Sequence, residues 1–294
     1  MGRHELEYPK EVINKVKRHD ERGQYPKVIH PLTSTTTTAN HSLITPLLIS
    51  ASYALKTIHG LINSSPLVHV SFNIPSSPFP ATLPMIGQMG SFTRPSADIS
   101  EPLDLYIHGY VSSRLMNLGR DASSGSGDDG AKGLPVCVSA SHVDGIVLSL
   151  SAFNHSYNYR SAVLFGNATL VEDREEKLYA MELITNGVVP DRWRHTRLPV
   201  TGAELQSTSL LRVKIASGSA KIRDGNASDD RHDLEDQGLV DRVWTGVLPM
   251  YQAVGEPVPS SYNSQAGLPE HLGGFSRDFS VESKEYSEQA ARKK

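Results

Sequence analysis

Two short stretches of the 294-residue chain combine side chains that can bind an anion and a planar ring. The first is HGYVSSR, residues 108–114, in which Ser112, Ser113 and Arg114 come directly before a predicted helix, RLMNLGR. The free N–H groups and dipole of a helix N-terminus favour a bound phosphate, and so do the forked donors of arginine. A Ser-Ser-Arg triplet is also a common surface sequence, so a plain turn is the alternative interpretation.

The second stretch is FNHSYNYR, residues 153–160, between two predicted strands. It contains three aromatic residues that could stack on a planar ligand and three polar residues that could anchor one: Phe153, Tyr157, Tyr159, His155, Asn158 and Arg160. The alternative is an aromatic corner that packs the barrel, with Arg160 in a salt bridge. A third segment, LPMIGQM, carries Pro84, Met85 and Ile86 on a strand whose backbone amides can meet the edge of a ring.

The sequence contains none of the common catalytic or metal-binding motifs. It has no HExxH, CxxC or GxSxG, and no GxGxxG that opens a βαβ unit. Residues 121–133, although rich in glycine, lack the GxxxxGK[ST] pattern of a phosphate-binding loop. Cys137 is the only cysteine and lies in an apolar run, which excludes an intrachain disulfide and disfavours a thiolate metal centre. No metal site and no catalytic residue is therefore predicted.

Composition narrows the class of protein. A hydrophobic share of 38% and a charged share of 21% are typical of a soluble domain. The formal net charge of −3 argues against nucleic-acid binding and against binding to an anionic membrane, because both need a clustered basic surface. The sequence shows no secretory signal and no apolar run that could cross a bilayer, so a cytoplasmic protein is predicted.

The chemistry-bearing stretches lie among segments that alternate apolar and polar residues. Strands are predicted over residues 67–72, 82–90, 104–109, 136–141, 145–151, 161–171 and 210–216, with HVDG (142–145) as a turn. A helix with an acidic first turn is predicted over residues 172–186, and Thr201 and Glu204 form a capping box. Short strands separated by turn signals predict an antiparallel barrel or sandwich.

The domain organisation follows from shifts in composition. Residues 1–20 are a charged N-terminal segment. A flexible low-complexity insertion is predicted at residues 121–133, and a disordered tail is predicted at residues 260–294 because Ser, Gly, Glu and Lys dominate there.

Several of these motifs together resemble the flavin-nucleotide-binding proteins of the pyridoxamine 5′-phosphate oxidase-like superfamily, which includes the nitroimidazole-resistance proteins. The similar pieces are LVHVSF, LPMIGQMG, LYIHGYVSSRLMNL, the long run PVCVSASHVDGIVLSLSAFNHSYNYRSAVLFGNATLV, RWRHTRLP and WTGVLP. Together with ERGQY, ELQSTSLLRVKI and SAKIR they span about residues 21–259, and the resemblance implies that residues 21–259 form one domain. SAFNHSYNYRSAVLFG is the most specific of the pieces.

The resemblance implies a mainly β fold with α elements, a six-stranded antiparallel split β-barrel with flanking helices. It also implies FMN, bound in a cleft between the two subunits of a homodimer. The implied cofactor-binding residues are Pro84, Met85, Ile86, His108, Gly109, Ser112, Ser113, Arg114, Asn158, Tyr159 and Arg160. The position at which the well-studied oxidases usually carry a second basic residue is Leu115 in this chain.

The leading hypothesis is an FMN-dependent oxidoreductase. A non-catalytic flavin-binding or flavin-storage protein would use the same binding residues and remains an alternative. A second alternative is a haem-binding split barrel, because the chain has twelve histidines, among them His108, His142 and His155. The elements with which the oxidases bind pyridoxamine phosphate have no clear match, which argues against that substrate.

Overall fold

The computed structural model describes residues 6–7, 49–75, 77–124 and 132–293, and these residues form nine strands and seven α-helices. The strands are β1 (Ile49–Ser52), β2 (Val68–Phe72), β3 (Ala81–Met85), β4 (Gly87–Gly90), β5 (Asp104–Tyr110), β6 (Leu134–Leu148), β7 (Ser156–Leu170), β8 (Thr208–Arg223) and β9 (Gly246–Pro249). The helices are α1 (Leu55–Ser64), α2 (Arg114–Ser124), α3 (Arg174–Val188), α4 (Gly202–Ser207), α5 (Arg231–Glu235), α6 (Gln237–Arg242) and α7 (Glu270–Arg292).

The strands form one antiparallel sheet in the order β3-β2-β6-β7-β8-β5-β4, with β1 paired to β8 and β9 paired to β6. The two end strands of this path, β3 and β4, are consecutive in the chain and are separated by Ile86 alone. The sheet therefore curls until its ends lie side by side, as a split barrel does. The predicted fold is confirmed, with nine strands in the described residues where the resemblance implied six.

β8 joins the two halves of the sheet. It pairs with β7 over most of its length and with β5 at its beginning, from Thr208 to Val213. The register shifts between Phe165 and Gly166 of β7, which marks a bulge where the long strands bend. Among the described strands, β8 alone connects the β3-β2-β6-β7 half to the β5-β4 half.

The main core lies inside the barrel and is closed by α1 and α2. Ile58 and Ile62 of α1 and Leu115 and Met116 of α2 are fully buried against strand residues such as Leu164. Burial of a leucine or isoleucine side chain stabilises a fold by about 1.5–3 kcal/mol. Leu115, at which the resemblance implies a basic residue in the oxidases, is therefore a core residue here.

A second, smaller core attaches α3 to the outer face of β5 and β8. Its buried members include Tyr106, Ala180 and Leu210. The Tyr106 hydroxyl donates to Glu176 Oε1 at 2.8 Å, and Arg212 Nη1 donates to the same oxygen at 2.9 Å. Burial and the neighbouring carboxylate raise the pKa of Tyr106, so its hydroxyl remains a donor at neutral pH.

The helix predicted over residues 172–186 is confirmed as α3, which begins two residues later, at Arg174, and has Glu175 and Glu176 in its first turn. Asp173 is the N-cap, because its side chain accepts from the backbone N–H of Glu176 at 2.8 Å. The predicted capping box of α4 is also present, with Thr201 and Glu204 bonded in both directions.

The prediction of a turn at residues 142–145 is wrong. β6 runs unbroken from Leu134 to Leu148, and the HVDG segment is a register shift between Val143 and Gly145. An added Cβ at Gly145 would lie 2.7 Å from Val247 Cγ1 of the paired strand β9, so the glycine allows a close approach of strands. The segment between residues 135 and 171 is thus one long hairpin rather than three strands.

The prediction of disorder is wrong for α7, a helix of 23 residues. α7 packs on β6 and β9, with Ser287 and Ala290 buried. The Gly225 N–H donates to Ala290 O at 2.7 Å, and Lys293 Nζ pairs with Asp224 at 2.6 Å. Polar residues dominate the composition of this segment, but Phe275, Phe279 and Tyr286 form an apolar face of the helix.

Parts of three other predictions lie outside the described residues. These are residues 1–5 and 8–20 of the charged N-terminal segment, residues 21–48 of the predicted domain, and residues 125–131 of the predicted insertion. Residues 121–124 of that insertion complete α2. In the part of the chain that the structure describes, no helix is long and apolar enough to cross a membrane.

Candidate functional site

The turn between β5 and α2 presents an arginine and two serines at a helix N-terminus. The N–H of Ser113 donates to Tyr110 O at 2.9 Å, and Ser113 Oγ accepts from the N–H of Met116 at 3.4 Å. Ser112 and Arg114 are exposed, and Arg114 has no hydrogen-bond or ion-pair partner among the described residues. The turn therefore offers a free guanidinium and free helix N–H groups to an anion.

The segments around Met85 and His108 lie next to this turn. An ideal Cβ on Gly109 would be 3.6 Å from Met85 Cε and 2.8 Å from Met116 Cε, so a larger residue at 109 would displace Met116. Gly87 pairs with Ile107, which places Ile86 beside His108 at the end of the ladder. The structure thus brings together residues 84–86, 108–109 and 112–114, as predicted from the sequence.

His108 has an unsatisfied nitrogen. Its Nδ1 is buried and has no hydrogen-bond partner among the described residues. Burial lowers the pKa of His108, so the ring is neutral at physiological pH. A neutral imidazole with a free nitrogen can bond a ligand edge or a metal.

Asn158 and Arg160 form a second cluster that is already satisfied by the protein. Arg160 donates from Nε and Nη2 to the two oxygens of Asp144 at 2.9 and 2.7 Å, and its guanidinium lies 3.5 Å from the centre of the Tyr286 ring. Asn158 is fully buried, donates to Gly225 O at 2.9 Å and accepts from Arg223. The salt bridge that the alternative interpretation assigned to Arg160 is present, and contact of either residue with a flavin stays a prediction.

The two clusters lie far apart in one protomer. His108 pairs with Leu210 of β8 and Arg160 pairs with Ile222, twelve residues further along that strand. At about 3.3 Å per residue this is about 40 Å when measured along the curved strand. The structure shows no contact between Asn158, Tyr159 or Arg160 and the residues around Arg114 in the part of the chain that it describes.

The tip of the β6–β7 hairpin is exposed. The Phe153 side chain is 97% exposed and projects from the short 3₁₀ turn that connects the strands. The Tyr157 side chain is 53% exposed and projects from the start of β7. His155 is held at Nδ1 by Ser151 O at 3.0 Å, and the ammonium of Lys221 lies 5.5 Å from the ring of Tyr159. An aromatic corner that packs the core is thus not what these residues form.

Sequence reasoning missed a basic cavity beside the turn, a groove of about 470 Å³ that is widely open to solvent. Its walls come from α2, α3, α4 and the ends of β7 and β8, and its charged members are Arg120, Arg174, Lys177 and Glu172. The spacing of Arg174 and Lys177, one helical turn apart, was a signal for a shared face. Within the described ranges, no group of three or more His, Cys, Asp or Glu residues could hold a metal ion.

An open antiparallel barrel closed by two helices is the architecture of a split-barrel protein. The family model described as pyridoxamine 5′-phosphate oxidase matches residues 55–222, more than half of the chain. The chain belongs to this family. A search of curated proteins found no match.

Two solved structures share about a quarter of the sequence. One is the flavocytochrome Anf3 from Azotobacter vinelandii, with 26% identity and a TM-score of 0.60 over 76% of this chain and 91% of that one. The other is the FAD and haem binding protein from Mycobacterium smegmatis, with 25% identity and a TM-score of 0.61 over 77% and 97%. A weaker likeness, at 15% identity and a TM-score of 0.44 over 64% and 96%, is to a candidate 5-nitroimidazole resistance protein from Bacteroides thetaiotaomicron.

Proposed function

We propose that this protein binds a flavin nucleotide at the β5–α2 turn. The observation that carries the proposal is the exposed, unpartnered Arg114 beside Ser112 and Ser113 at the start of α2. A guanidinium binds a phosphate through two parallel hydrogen bonds, and the helix N–H groups add to this attraction. Flavin binding by two relatives at 25–26% identity supports the assignment.

The remaining segments fit the body of the cofactor. β3 pairs only with β2 among the described strands, so the backbone of Met85 and Ile86 has a free edge that can bond a ring. His108 supplies the buried Nδ1 that lacks a partner. A bound flavin would supply the redox chemistry, while these residues hold and orient it.

The first test is the spectrum of the purified protein. We expect flavin absorbance near 450 nm, or quenching of flavin fluorescence and a rise in melting temperature on addition of FMN or FAD. Flavin released by denaturation and separated by chromatography identifies the nucleotide. The sequence predicts FMN. Residues 84–86, 108–109 and 112–114 are proposed to bind the part of the molecule that FMN and FAD share. A protein that responds to neither nucleotide would contradict the proposal.

We propose further that the bound flavin takes part in electron transfer, which makes the protein an oxidoreductase. Anaerobic mixing with NADH and NADPH, followed by stopped-flow absorbance, tests this step. Bleaching of the oxidised flavin band is the expected result. A flavin that neither nicotinamide nor a panel of chemical donors reduces at a useful rate would instead favour the storage function.

A homodimer with the cofactor at the interface is also proposed. In this proposal Asn158–Arg160 approach the Arg114 site from the other subunit, which is consistent with their pairing to the far end of β8 within one chain. The exposed Phe153 and Tyr157 side chains supply apolar area for such a contact.

Light scattering should give twice the chain mass, and Phe153→Asp should reduce the measured mass. Phe79→Asp is the control, because Phe79 is 76% exposed on the loop between β2 and β3. A wild-type monomer would rule the dimer out.

Haem is a second candidate ligand. One relative is titled a flavocytochrome and the other an FAD and haem binding protein. Of the three histidines considered, His142 is bonded by Ser64 at 3.2 Å and His155 by Ser151 at 3.0 Å, while His108 retains a nitrogen without a partner in the described part of the chain. Haemin titration should give a Soret band that His108→Ala removes and His155→Ala preserves. No Soret shift in the wild type would exclude haem.

A further inference from the structure

The basic cavity of about 470 Å³ adjoins the turn that the flavin phosphate is proposed to occupy. Val111 belongs to both, since it lies in the turn and lines the cavity. Arg120 Nη2 donates to Val111 O at 3.4 Å, so a hydrogen bond links the α2 wall of the cavity to the turn. The N–H of Val111 donates to Ser207 O at 3.2 Å, which fixes the opposite wall at the end of α4.

The charges in this cavity suit a second phosphate. Arg120, Arg174 and Lys177 come from two helices and face one carboxylate, Glu172, so the lining carries a net positive charge. Lys177 has no ion-pair partner among the described residues, and Arg174 reaches only the exposed Glu175 at 3.0 Å. Cations that converge from separate elements and outnumber the facing carboxylate can bind phosphate through charge-assisted hydrogen bonds.

The other walls suit a nucleoside. Leu170, Leu205 and Val111 give an apolar surface, and Gln206, Thr208 and Ser209 give hydrogen-bonding groups. The Glu172 carboxylate can accept from ribose hydroxyls, as acidic residues do in other nucleotide sites. A volume of about 470 Å³ is within the range of small-molecule sites.

We infer that this cavity holds the adenosine phosphate half of FAD, so that the chain prefers FAD to FMN. The inference rests on the proposed flavin function and extends it, because FMN has no group that reaches the cavity. The phosphate shared by both nucleotides would lie at Arg114, and the second phosphate would lie among Arg120, Arg174 and Lys177.

Flavin fluorescence titrations of the full-length protein test the inference. The wild type should bind FAD more tightly than FMN. The double variant R174Q/K177Q should lose FAD affinity by about tenfold to a hundredfold, the usual effect of losing charge-assisted hydrogen bonds, while FMN affinity changes less than about twofold. Both side chains lie at the surface, so the fold should tolerate the change. The matched control is R231Q/K284Q, which removes the same charge from α5 and α7.

The outcomes separate this inference from the function on which it rests. Binding of neither FMN nor FAD by the wild type would remove the flavin proposal itself. Equal FMN and FAD affinities, or equal losses for both in R174Q/K177Q, would overturn the cavity assignment alone. A further experiment measures the binding of AMP to the FMN-saturated protein. Binding of AMP together with unchanged FAD affinity in the variant would show a separate nucleotide site and would also overturn the inference.

Discussion

Arg114 and Arg160 are both candidate flavin contacts, yet their surroundings differ. Arg114 is exposed and has no partner among the described residues, whereas Arg160 is held on both sides by Asp144 and Tyr286. A free cation is available to a ligand at no cost to the fold, and a paired cation supports the fold first. The two arginines should therefore respond differently to substitution.

Arg114→Ala should weaken flavin binding by roughly tenfold to a hundredfold, because it removes charge-assisted hydrogen bonds to a phosphate. The melting temperature of the apo protein should not change. Fluorescence titration and a thermal melt measure the two quantities. Arg231→Ala, at a 92% exposed side chain on α5, is the control. A large loss of apo stability would mean that Arg114 has a structural role.

Asp144→Ala should lower the free energy of unfolding by about 3 kcal/mol, because it leaves the half-buried Arg160 cation without its counter-charge. The D144A/R160M double variant should be more stable than D144A alone. Urea denaturation of the two single variants and the double variant measures the coupling. The exposed pair Arg94–Glu101 is the comparison and should show little coupling. Additive effects at Asp144 and Arg160 would contradict the expected pairing.

At the scale of elements, α7 is the part of the structure that composition predicted least well. Disorder was predicted because polar residues dominate residues 260–294, but periodicity holds the relevant signal. Phe275, Phe279, Tyr286 and Ala290 recur at intervals that place them on one helical face. That face is partly covered by β6 and β9, and it supplies the ring over which Arg160 lies.

Tyr286→Ala should destabilise the protein by about 2 kcal/mol, through lost packing and the lost cation–π contact with Arg160. Chemical denaturation gives the value, and Tyr262→Ala, at an 88% exposed residue, is the control. Equal stability of the two variants would mean that α7 does not support the hairpin in solution.

Strands were predictable where the signal is local. β2 was found within one residue of its bounds because its apolar residues alternate, and β5 because it is a short run of apolar residues. The bulge near Asp144 was not predictable, since HVDG has the composition of a turn and the pairing with β7 and β9 keeps the strand extended. The Arg160–Asp144 pair likewise depends on the register between β6 and β7, which no local pattern specifies.

The anion site was predictable in part for the same reason. Ser112, Ser113 and Arg114 are contiguous, so their chemistry is visible in the sequence. The basic cavity draws Arg120 from α2 and Lys177 from α3, and only the packing of these helices across β8 brings them together. Its residues carry no motif because they act as a set only after folding.

At the scale of the whole molecule, buried histidines link stability to pH. Burial holds the pKa values of His108 and His142 below the ordinary value of 6.5. Protons then bind the unfolded chain more readily than the folded one near and below that value. Stability contributed by the neutral rings is therefore complete above about pH 6.5 and is lost as the pH falls below it.

The apo protein should accordingly unfold at lower urea concentration at pH 5.5 than at pH 7.5. His142→Gln should reduce this difference, because Gln does not titrate. His155→Gln, at an exposed residue, should leave the difference unchanged. A pH dependence that is equal in all three proteins would assign it to other groups.

The position of β8 in the chain has a consequence for biosynthesis. β8 begins at Thr208, and it alone among the described strands connects the β5-β4 pair to the β3-β2-β6-β7 half. A nascent chain that has emerged only to residue 207 therefore carries two separate pieces of sheet with open edges on β5 and β7. Such edges attract other strands, and long-range pairings such as Ile49 with Arg223 form slowly. The interval before β8 leaves the ribosome is thus the period in which this chain most needs protection from aggregation.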